Sequence, residues 1–141
     1  MREYLLDTHI LIWVLTDDSR LDKNIREDIE YFQHPYFVSV ESLREIVILQ
    51  SLGKIAIHYN LNEIVDFLAK WQISIIPVEI NHIKELEKLP VLTIDGKTHD
   101  DPFDRLLIAQ AIANKYIIIS SDRKFPFYTE TCRLKLLINE K

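Results

Sequence analysis

The sequence predicts an α/β fold, a central and mostly parallel sheet of about five strands between two layers of helices. Three observations carry that prediction. Short apolar runs of strand length recur at Tyr4–Leu6, Tyr36–Val38, Ile73–Ile76, Tyr116–Ile119 and Leu134–Ile138. Segments with helical spacing and cap signals separate most of them, and strands joined through helices pair in parallel. Finally, 141 residues with only two glycines, five prolines and no repeat suit one domain, 1–141, built from regular elements.

Each element follows from local chemistry. Tyr4-Leu5-Leu6 is apolar enough for a buried strand and stops at Asp7; Thr8 can cap a helix through Leu15. A second helix starts at Asp22 and carries Ile25, Ile29 and Phe32 at helical spacing until Pro35. After Tyr36–Val38, Ser39 reads as the N-cap of a helix to Leu52, with Gly53 just past its end. Asn60 with Glu63 is a capping box that opens Leu61–Trp71. Pro77 closes the Ile73–Ile76 strand, and Asn81–Leu89 is a short helix bounded by Pro90. Val91–Asp100 shows no periodicity and reads as a loop. Asp101-Pro102-Phe103-Asp104 is a strong helix start, with acid at N-cap, proline at N1 and acid at N3, for a helix to about Lys115. Right-handed crossovers then leave the strand C-termini along one edge, where ligands of such sheets bind.

Composition narrows the function. Charged residues make up 28% of the chain and hydrophobic ones 48%, the balance of a globular protein rather than a disordered one. Enough apolar surface can be buried without a metal staple, so a metal here serves chemistry. The net charge of −5 lacks the basic excess of most nucleic-acid binders, but bound cations cancel acids gathered in a metal site. A single cysteine, Cys132, excludes an internal disulfide and reads as an ordinary buried thiol in a reducing compartment. The N-terminus has an acid where a signal peptide needs an apolar run, and nothing approaches the ~20 apolar residues that cross a bilayer. The expectation is a cytoplasmic protein with no membrane partner.

The acids are the informative residues. Asp7 directly follows the first strand and Asp122 lies just past Tyr116–Ile119, so both belong at the ligand-binding edge. Asp104 sits in the first turn of the helix before the Asp122 strand. Glu45 is one turn into the helix after the second strand, beside Ile48, Leu49 and Leu52, where an acid needs a partner. Gathered carboxylates repel and raise one another's pKa unless a cation lies between them. Mg²⁺ and Mn²⁺ prefer oxygen ligands, polarise a phosphodiester and help deprotonate a water, so nuclease chemistry suits an all-carboxylate site. Plainer roles stand beside each: Asp101 as a helix cap, Asp104 complementing a helix dipole, Asp7 and Asp122 as turn residues, Glu45 paired with Arg44 or Lys54, and Glu41 solvated. Arg123 and Lys124 can hold a substrate phosphate or stay solvated; Arg105 suits a surface salt bridge.

Taken together, Leu5-Leu6-Asp7-Thr8-His9, Ser39-x-x-Ser42-Leu43-x-Glu45-Ile46, Asp101-Pro102-Phe103-Asp104-Arg105-Leu106-Leu107-Ile108-Ala109-Gln110-Ala111 and Ser120-Ser121-Asp122-Arg123 resemble a PIN domain, specifically the VapC-type toxins of prokaryotic toxin–antitoxin pairs. The resemblance covers essentially the whole chain. It implies a PIN-like three-layer α/β/α fold, an Mg²⁺- or Mn²⁺-dependent endoribonuclease cutting RNA, a cognate antitoxin and a homodimer. It places the family's metal-binding and catalytic acids on Asp7, Glu45, Asp104 and Asp122, with Asp101, Ser120 and Thr8 supporting. Two positions depart from the pattern: Arg44 stands where relatives often have an aromatic, and Leu49 where they often have lysine.

Other residues offer less. The five histidines show no metal-ligand spacing, and His9, in the first turn after Asp7, suits a structural hydrogen bond or a substrate contact. Trp13 and Trp71 read as core. Phe125-Pro126-Phe127-Tyr128 reads as an aromatic loop that can face RNA, a subunit or an antitoxin. The apolar faces of Ile25–Phe32 and Ile46–Leu52 can form a groove for a partner helix. A phosphoacceptor receiver domain is disfavoured, because Asp7 stands without an adjacent acid and no lysine closes the Tyr116–Ile119 strand. A PIN-like module without catalysis and a DNA-cutting nuclease on the same scaffold remain as alternatives.

Overall fold

The computed structural model describes residues 2–140. Among these residues, seven helices and seven short strands run in the order β1 (Tyr4–Leu6), α1 (Thr8–Thr16), α2 (Lys23–Glu30), β2 (Tyr36–Ser39), α3 (Val40–Ser51), α4 (Leu61–Lys70), β3 (Ile73–Ile76), α5 (Ile80–Lys88), β4 (Thr93–Ile94), β5 (Lys97–Thr98), α6 (Pro102–Asn114), β6 (Ile117–Ser120), α7 (Pro126–Thr131) and β7 (Lys135–Ile138). Five strands form one sheet in the order β3-β2-β1-β6-β7. Every pairing in it is parallel, Leu5 lying opposite Phe37 on one side and Ile118 on the other.

Alternation along the strands explains the three layers. Tyr4, Leu6, Val38 and Ile119 point into a core built with α1, α2, α3 and α4. Leu5 and Ile118 point the opposite way, into a second core with Leu107 and Ile108 of α6 and Phe125 and Tyr128 around α7. Both faces of the central strands are buried, which is why they read as unbroken apolar runs. The chain leaves β1 outward through β2 and β3, then returns to the other side of β1 through β6. That reversal opens a crevice between the C-terminal ends of β1 and β6.

Most caps lie where the residues predict. Ser39 caps α3 by accepting from the Glu41 N–H, and Asn60 and Glu63 form a reciprocal box at α4. Asp101 caps α6 by accepting from the Phe103 and Asp104 N–H groups. Four expectations change. Asp7 rather than Thr8 caps α1, because its carboxylate reaches the Ile10 N–H at 2.9 Å. Phe32 lies beyond α2 in a left-handed conformation (φ 54°) with its ring half exposed. The helix after Pro77 begins at Ile80, with Glu79 at its N-cap. The expected loop 91–100 contains the antiparallel β4–β5 hairpin, turned by Asp95 and Gly96, both at positive φ (52° and 77°). Two central residues at positive φ make the tight turn whose twist suits a hairpin.

The aromatic loop is also corrected. Pro126–Thr131 is a helix with proline at its N-terminus, Phe125 and Tyr128 are fully buried, and Phe127 alone of these rings is exposed. Among the described residues no helix is long and apolar enough to cross a membrane.

Candidate active site

Four structural elements bring acids to the crevice. Asp7 leaves β1, Glu45 lies midway along α3, Asp101 and Asp104 begin α6, and Asp122 follows β6. All five line one cavity of about 380 Å³ together with Thr8, His9, Trp13, Ser121 and Lys124. Residues as far apart in the chain as Asp7 and Asp122 therefore share one space. Among the described residues no three Asp, Glu, His or Cys side chains converge tightly enough to grip an ion as they stand. The acids face a common space instead of a closed cage, as like charges favour.

Electrostatics ties them together despite that spacing. Burial pushes the Asp104 carboxyl up to about 8, and the charges of Asp101, Asp122, Asp7 and Glu45 add to the effect. Burial likewise raises Asp7 to about 6, opposed by the hydrogen bond from Ser120. Glu45 is raised by burial, with the Thr8 hydroxyl working against the shift and Asp101 adding to it. Burial first and neighbouring charge second make Asp7, Glu45 and Asp104 costly to ionise, so the set favours a compensating positive charge.

Hydroxyl groups fix the acids in place. The Ser120 hydroxyl donates to Asp7 Oδ2, while Ser120 Oγ accepts the Asp122 N–H at 3.0 Å. One buried side chain thus links the ends of β1 and β6 across the crevice. The Thr8 hydroxyl donates to Ser42 Oγ at 3.0 Å, fastening α1 to the part of α3 that carries Glu45. Asp122 Oδ1 accepts the Lys124 N–H at 2.9 Å and shapes the turn after β6.

Several expected residues fall elsewhere. Arg123 is exposed and lies outside the cavity lining, whereas Lys124 reaches it. Arg105 makes no salt bridge among the described residues; its guanidinium donates to the carbonyls of Pro90 and Leu89, fastening α6 to the end of α5. Arg44 pairs with Glu41 and leaves Glu45 to the cavity. Leu52, expected beside Glu45 in an apolar stripe, is largely exposed, and α3 buries Ser42, Leu43 and Ile46. Cys132 is half-buried. Trp13 belongs to the core, as expected, yet also meets the cavity, with the exposed His9 ring edge-on to it.

One residue of the site has no signal in the local sequence. His99 is 4% exposed, and its Nε2 lies 3.4 Å from Asp104 Oδ2 while Nδ1 lies 2.6 Å from the Tyr128 hydroxyl. Burial lowers its pKa. Its second partner is 29 residues away, so spacing alone cannot reveal it.

Comparison with known proteins places this arrangement. Residues 4–129 match the model of the PIN domain family. The chain belongs to the PIN domain family. Its fold is similar to VapBC2 from Rickettsia felis bound to a DNA fragment from its promoter (TM-score 0.68, 16% identity, 96% of this chain and 98% of the other). It is also similar to DNA-bound VapBC from Salmonella typhimurium (TM-score 0.67, 13% identity, 99% of each chain) and to a toxin–antitoxin complex from Klebsiella pneumoniae (TM-score 0.53, 16% identity, 86% and 88%). At these identities the likeness is one of fold: a PIN-like three-layer α/β/α architecture on five parallel strands. No curated protein matches the sequence.

Proposed function

We propose that this single PIN domain, 1–141, is a metal-dependent endoribonuclease that hydrolyses RNA phosphodiester bonds and is the toxin of a toxin–antitoxin pair. One observation carries the reading: acids from four separate elements line one cavity at the point where the sheet order reverses. Membership of the PIN family and the likeness to solved toxin–antitoxin complexes support it.

The donor set fits a hard divalent ion, because the cavity offers carboxylates, the hydroxyls of Thr8 and Ser121, no thiol, and one imidazole, that of the exposed His9. Asp7, Glu45, Asp104 and Asp122 would hold Mg²⁺ or Mn²⁺. Bound there, the ion would draw electrons from a phosphodiester oxygen and make a water more acidic. The chain's own residues do the rest. Ser120 keeps Asp7 and the Asp122 backbone in register, Thr8 holds α3 against α1, and Asp101 fixes the first turn of α6. Lys124, at the cavity wall, supplies a positive charge that draws in a phosphate, and the exposed Arg123 beside it is the second candidate for a phosphate contact.

An antitoxin protein is the partner that such a toxin requires, and a homodimer in the cytoplasm is the proposed working form. Cleavage of a structured RNA in Mn²⁺, by the wild type and by Asp7→Asn, tests the enzyme reading. The wild type should leave 5′-phosphate ends and Asp7→Asn should be slower by orders of magnitude. Equal rates would remove Asp7 from the site, and faster cleavage of a DNA strand of the same sequence would redirect the proposal to DNA.

A further inference from the structure

Asp104 is held by more than its helix. His99 stands at the base of the β4–β5 hairpin, where its backbone N–H donates to the Leu92 carbonyl at 2.8 Å. Its ring bridges the cavity and the opposite core layer, touching Asp104 with Nε2 and the Tyr128 hydroxyl with Nδ1. Tyr128 is fully buried, so its hydroxyl meets the imidazole away from solvent. Backbone and both ring nitrogens are committed, and the imidazole has no freedom to turn.

We propose that Tyr128 and His99 are positioning residues for Asp104, a chain in which the tyrosine hydroxyl donates to His99 Nδ1 and His99 Nε2–H donates to Asp104 Oδ2. The inference rests on the reading of Asp104 as a cation-holding acid. A neutral imidazole has one donor and one acceptor, and the partner of one nitrogen decides what the other carries. When Asp104 holds a cation it is ionised and only accepts, so the nitrogen facing it must hold the hydrogen. A hydroxyl donating to Nδ1 keeps it there. The same rings also pack edge-to-face, with centroids 5.4 Å apart. Phenylalanine at 128 would preserve that packing and remove only the hydroxyl, which separates orientation from bulk. Outer partners of metal ligands act this way, and their loss costs about 10–100-fold in ion affinity or activity.

The experiment compares wild type, Tyr128→Phe, His99→Gln and His99→Ala by three readouts. Long-range ¹H–¹⁵N NMR of the Mg²⁺-saturated protein, in which Asp104 is ionised, reports which His99 nitrogen carries hydrogen. Electron paramagnetic resonance of free Mn²⁺ reports ion affinity, and RNA cleavage reports kcat and KM. The wild type should show hydrogen on Nε2; Tyr128→Phe should mix the tautomers, weaken Mn²⁺ by about 10-fold or more, and lower kcat with little change in KM. His99→Gln, whose amide N–H can replace Nε2–H, should keep more Mn²⁺ affinity than His99→Ala. An unchanged tautomer and unchanged affinity in Tyr128→Phe would overturn the proposal. Equal losses in His99→Gln and His99→Ala would overturn it too, and that comparison decides alone if Tyr128→Phe fails to fold. Failure of the wild type to cut RNA would instead count against the nuclease reading, leaving tautomer and ion affinity to judge the chain.

Discussion

Ser120 shows how much a single side chain does in this site. Its hydroxyl donates to the Asp7 carboxylate, and its oxygen accepts the Asp122 N–H. Replacing it with alanine removes a donor that restrains the Asp7 pKa and orphans a backbone donor. Ser120→Ala should lower stability by about 1–3 kcal/mol in denaturant unfolding and slow cleavage as well. Unchanged stability would mean that water takes over both contacts. Asp7 carries a second duty, since its other oxygen caps α1. Asp7→Asn preserves a capping oxygen, which is why it suits a test of chemistry better than alanine does. Asp7, Asp104 and Asp122 were legible because each sits at a strand end or helix start. His99 was not, because its meaning depends on a tyrosine 29 residues on.

At the scale of elements, legibility followed locality. Asp101-Pro102 and the Asn60–Glu63 box announce helices through contacts within four residues, and the structure repeats them. The hairpin at Thr93–Thr98 escaped because strands of two residues show no alternation, although Asp95-Gly96 is a turn signal. Helix α7 escaped for a similar reason. Six residues are too few for a helical period, so Phe125, Phe127 and Tyr128 looked alike in the sequence. Burial separates them. Phe125→Ala should cost about 3–5 kcal/mol of stability through the cavity it leaves. Phe127→Ala should fall within about 0.5 kcal/mol, as surface changes do. Chemical denaturation of both variants checks this, and similar costs would return the segment to a flexible surface loop.

The whole molecule concentrates its acidity where the sheet order reverses, and stability should record that. Asp7 and Asp104 have folded pKa values of about 6 and about 8 against 3.8 in the open chain. A raised folded pKa stabilises the protonated form, so this contribution is complete below the unfolded value and is lost as pH rises through the folded one. His99, whose pKa is lowered, opposes this only below its ordinary value of 6.5. The metal-free protein should therefore lose on the order of 2 kcal/mol between pH about 6 and about 8, read by denaturant unfolding in EDTA. Mn²⁺ should reverse the slope, because it competes with those protons and binds only the folded state. A flat or rising metal-free profile would show that neither burial nor neighbouring charge raises these acids.

Convergence of distant acids on one cation is the claim beneath all of this, and paramagnetic broadening by Mn²⁺ in a ¹H–¹⁵N spectrum addresses it directly. At substoichiometric Mn²⁺ the amides of Thr8, Glu45, Asp104 and Asp122 should fade together, while those of Tyr31 and Asp66 persist. Fading confined to one of those segments, or scattered over exposed acids, would contradict the account.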